Sequence, residues 1–91
     1  MNNEFVHQQS SVWAARLLME VPTGGDDILR TAFRQAMSRI PTPEELTAFQ
    51  EFSKAVAAER NLPQENCLTN PDVLTDVCHV LLNQKEFLFI N

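Results

Sequence analysis

The chain is poor in the residues that most often announce a function. Its 91 residues include no tyrosine, one tryptophan, two glycines, two histidines and two cysteines. Cys67 and Cys78 stand eleven positions apart with no Cys-x-x-Cys, a spacing that suits neither a zinc ribbon nor covalent haem attachment. His79 has no second histidine three or four positions away, so a helical metal pair is absent. The serines sit in no Gly-rich elbow and the cysteines have no defined basic neighbour, which leaves nucleophilic catalysis without its usual setting. Basic residues are also scarce. Seven Lys and Arg face twelve Asp and Glu, for a net charge of −5, and a nucleic-acid or anionic-membrane surface needs clustered cations to displace counterions. No apolar run approaches the ~20 residues of a spanning helix. Met1-Asn2-Asn3-Glu4 lacks the basic start of a signal peptide, so the chain read alone is expected to be soluble, without membrane insertion.

What is present describes a small helical domain. A hydrophobic fraction of 44% with 21% charged residues is ordinary for a globular chain, and this length forms a single domain, 1–91, with a modest core. The charge is uneven. Residues 1–43 carry four acids and four basic residues, whereas residues 44–91 carry eight acids against Lys54, Arg60 and Lys85.

The organising stretch is Ile40-Pro41-Thr42-Pro43-Glu44-Glu45-Leu46. Pro41 lacks an N–H and drives Ile40 from helical angles, so a helix arriving from about Arg30 must stop near Arg39. Thr42 is then placed as an N-cap, Pro43 as the first helical residue, and Glu45 as the partner that closes a capping box.

Periodicity predicts four helices, about 4–21, 27–39, 43–60 and 71–83. In the first, Val6, Trp13, Leu17 and Val21 share a face widened by Ala14 and Leu18, and the Trp13 indole N–H needs a partner if buried. Pro22-Thr23-Gly24-Gly25 ends it and is the candidate hinge. Asp26 or Asp27 is expected to cap the second helix, whose apolar face is Ile28, Leu29, Ala32, Phe33, Ala36, Met37 and Ile40. Leu46, Phe49, Phe52, Ser53 and Val56 line the third, and Asn61 to Thr69 follows as a polar connection. Asn70-Pro71-Asp72 repeats the cap-then-proline start, and Val73, Leu74, Val77, Cys78, Leu81 and Leu82 make the fourth helix the most apolar and hence the central one. Cys78 in that stripe is expected to be a buried free thiol. The expected fold is an all-α bundle of about four helices with an apolar C-terminal tail, and a core holding Trp13, Phe33, Phe49, Phe52, Leu74, Val77 and Leu81.

Polar residues with functional chemistry are few. Arg30, Arg34 and Arg39 lie along one flank of the second helix, as an anion site or, by the ordinary behaviour of such rows, as a solvated flank. Glu44 and Glu45 diverge by about 100° on a helix and cannot form a paired acid–base site. The tail Phe87-Leu88-Phe89-Ile90 cannot turn all four side chains inward from a terminal helical turn. It is expected to dock as an irregular tail; a short strand, or an interface with another domain or a second copy, are the alternatives.

Three segments resemble one family. Asn2-Asn3-Glu4-Phe5-Val6 with Gln9 and Trp13-Ala14-Ala15-Arg16-Leu17, the corner Ala36 to Leu46, and Asp76-Val77-Cys78-His79-Val80-Leu81-Leu82-Asn83-Gln84-Lys85-Glu86-Phe87-Leu88-Phe89 are similar, in the same order, to a planctomycete-specific C-terminal domain of unknown function. The corner corresponds to that family's Leu-x-Arg-x-Pro-Thr-x-x-Glu-Leu, and the last segment to its Leu-Leu-Asn-Ser-x-Glu-Phe, with Gln84 in place of the usual Ser. The family occurs in large secreted proteins with an N-terminal cytochrome-c-like domain. The resemblance implies a C-terminal fragment or shortened relative whose parent is exported to the periplasm or cell envelope. It carries no haem motif onto any residue here, and no cofactor is expected in this chain.

Two functional readings follow. The first is a non-catalytic accessory or interaction module that packs against upstream domains of the same parent or a second copy, with no nucleic-acid partner. The alternative is part of an enzyme or electron-transfer site completed by upstream domains, to which His7, Arg34, Arg39, His79 and Glu86 would contribute if they met in one cleft.

Overall fold

The computed structural model describes the backbone of residues 3–90 and the side chains of residues 4–84. It is an all-α bundle of four helices: α1 Asn3–Glu20, α2 Gly25–Met37, α3 Pro43–Glu59 and α4 Pro71–Ile90, with one 3₁₀ turn at Cys67–Thr69. Helix α4 is central, packing against α1, α2, α3 and the 3₁₀ turn, and most extensively along α1. Val73, Leu74, Val77, Cys78 and Leu81 are buried along it, as its apolar stripe predicts.

Local chemistry explains most boundaries. Thr42 Oγ1 accepts from the Glu45 N–H at 3.1 Å, and the Glu45 carboxylate accepts from the Thr42 N–H at 2.9 Å, so the expected capping box is formed. Asn70 Oδ1 accepts from the N–H groups of Asp72 and Val73 and starts α4. At the end of α3, Asn61 takes a left-handed φ of 59°. The Leu62 N–H then reaches the Ala57 carbonyl and the Asn61 N–H that of Ala58, the paired bonds of a Schellman stop.

Four expectations are corrected. Helix α2 is capped by Gly24 with no side-chain hydrogen bond; Asp26 and Asp27 occupy its first turn, where their charge meets the helix dipole, and Asp27 instead accepts from Thr23 Oγ1. The same helix ends at Met37 because Ser38 turns left-handed, φ 60°, leaving Ile40 69% exposed. Phe52 is 36% exposed and outside the core: at 100° per residue it sits about 60° from Phe49, while Ser53, on the other side of that line, is buried with its hydroxyl bonded to the Phe49 carbonyl. Helix α4 runs to Ile90, so Phe87–Ile90 belong to its last turns and are neither an irregular tail nor a strand.

The main core joins Ala14 and Leu17 of α1, Ile28, Leu29 and Phe33 of α2, Phe49 of α3 and Leu74, Val77 and Leu81 of α4. Phe33 and Phe49 meet edge-on, centroids 6.0 Å apart, a geometry the ring quadrupoles favour. A second cluster, Val56, Ala57, Cys67 and Val73 with Leu62 against it, buries part of the connection expected to be merely polar. Trp13 lies at the core's edge, half-buried, and its indole donates to Gln35 Oε1 at 2.7 Å. Gly24 has φ 69° and ψ −168°, a region essentially reserved for glycine, and a Cβ there would stand 3.1 Å from Thr69 Cγ2. The expected hinge is thus a close approach between the α1–α2 turn and the 3₁₀ turn.

Candidate functional surface

The α2–α3 corner is the best-defined polar constellation. Arg39 donates both Nη atoms to Glu45, Nη1 to Oε1 at 2.7 Å and Nη2 to Oε2 at 2.9 Å. The guanidinium also covers the Phe33 ring, 5.0 Å from its centroid. The Arg39 hydrogen bonds first, and the Thr42 N–H next, hold the Glu45 carboxyl down at about 2, and the same pairing raises the Arg39 pKa. A guanidinium fork already filled by a carboxylate has little left to offer an external anion. Arg30 pairs with Asp27 at 3.4 Å and Arg34 is exposed.

Beside the corner is an open depression with Phe33, Met37 and Val80 as its apolar floor and Arg39, Glu45 and Asn83 among its rim. A second depression, between α1, α2 and α4, is lined by Val12, Trp13, Arg16, Gln35 and Leu82 among others. Neither gathers the expected polar candidates. Arg39 meets Glu45, but His7 is exposed on α1, Arg34 is exposed on α2, and His79 is half-buried on α4; among the described residues none of these three lines either depression. The side chains of Glu86, Phe87, Leu88, Phe89 and Ile90 lie outside the described residues. Among the described residues there is no group of three or more His, Cys, Asp and Glu that could hold a metal ion, and no helix is long and apolar enough to cross a membrane. Cys67 and Cys78 are buried free thiols, and burial pushes the Cys78 thiol up to about 12.

The feature that sequence reasoning missed is on α1. Phe5, Val12 and Met19 are 49%, 56% and 84% exposed. They recur every seven residues, which on an α-helix falls about 20° short of two turns. Three large apolar side chains therefore share a line on the outer side of α1, away from buried Val6, Ala14 and Leu17. Scattered exposed apolar residues are normal on any protein; these three differ in falling on one line of the helix. The signal was legible as a seven-residue recurrence, but the stronger Val6–Trp13–Leu17 pattern overlapped it.

No protein-family model, curated protein or solved structure matches the chain.

Proposed function

We propose that the chain is a non-catalytic helical accessory or interaction module from the C-terminal region of a larger cell-envelope protein, docking on upstream domains of that parent or on a second copy. The observation that carries this reading is the aligned exposure of Phe5, Val12 and Met19 on a well-capped bundle, because apolar side chains in line on an outer helix face are suited to burial by another surface. The similarity of three segments to the planctomycete domain supports the envelope setting and the position at the end of a parent chain. The acidic balance, −5 overall, suits a protein partner rather than a nucleic acid.

The test is the solution mass of the chain over a concentration series, together with titration against the region encoded immediately before Met1. Association in either experiment is expected. A chain that stays at 10.3 kDa and binds nothing from that region would remove the reading.

A further inference from the structure

We draw no further inference here: the strongest candidate, the open depression between α1, α2 and α4 where Arg16 stands beside Trp13 and Gln35, is lined by polar groups that are exposed or already hydrogen-bonded to one another, and nothing in the structure shows what fills it.

Discussion

Arg39 and Glu45 close the corner between α2 and α3 with two parallel hydrogen bonds, at 2.7 and 2.9 Å, so one carboxylate caps α3 and ties it back to the end of α2. This pair governs how the fold should respond to acid. The Glu45 carboxyl is held below its ordinary 4.5, at about 2. Its contribution is therefore fully present above pH ~4.5 and is lost as pH falls toward about 2. Urea unfolding at pH 5.5 and pH 2 is expected to show a smaller acid loss for Glu45→Gln than for wild type. Parallel losses would mean that the pair contributes nothing to stability.

Gly24 should be less replaceable than Gly25. Its backbone angles cost a non-glycine residue about 1–3 kcal/mol, and a Cβ would press on Thr69 Cγ2 at 3.1 Å, whereas Gly25, also at positive φ, faces open space. Denaturant titration is expected to place Gly24→Ala below Gly25→Ala in stability.

Cys78 should be inert in the folded state. Its thiol is raised by burial from 9.0 to about 12, so the native protein keeps a proton that the unfolded chain gives up sooner. Stability from this group is fully present below pH ~9 and declines as pH rises toward about 12. Disulfide-exchange reagents at pH 8 are expected to label Cys78 only at the rate of unfolding; rapid labelling would contradict its burial.

Core and surface substitutions should separate cleanly. Leu81→Ala empties a fully buried site and is expected to cost about 2–5 kcal/mol, a large share of the stability of a small domain. Thr42→Ala removes one cap and is expected to cost about 1 kcal/mol. Phe33→Ala is expected to cost about 3–5 kcal/mol and Phe52→Ala clearly less. Equal effects at Phe33 and Phe52 would contradict the exposure of Phe52. Thermal and urea unfolding measure all four.

The parts of the fold legible in the sequence are those set by local chemistry. Thr42 and Asn70 announce their helices because each cap is a bond within a few residues of itself, and Cys78 announces its burial because Leu74, Leu81 and Leu82 stand beside it at helical spacing. Where a competing neighbour decides, sequence reading falls short. Gly24 displaces Asp26 as cap because the turn after α1 needs a positive φ, and Ser53 takes the inner position that hydrophobicity alone would assign to Phe52. The Phe5–Val12–Met19 line went unread because α1 is apolar on two sides, and periodicity does not say which side the other helices cover. The polar candidates His7, Arg34 and His79 could not be ranked from spacing, since convergence is set by how helices cross.

The most direct test of the account is the concentration dependence of methyl and aromatic NMR shifts in the chain. Signals of Val12, Met19 and Phe5 are expected to move together as concentration rises, while those of Val77 and Leu81 in the core stay fixed. Shifts that change at Ile40 or Phe52 with α1 unaffected, or that change nowhere, would contradict a contact face on α1.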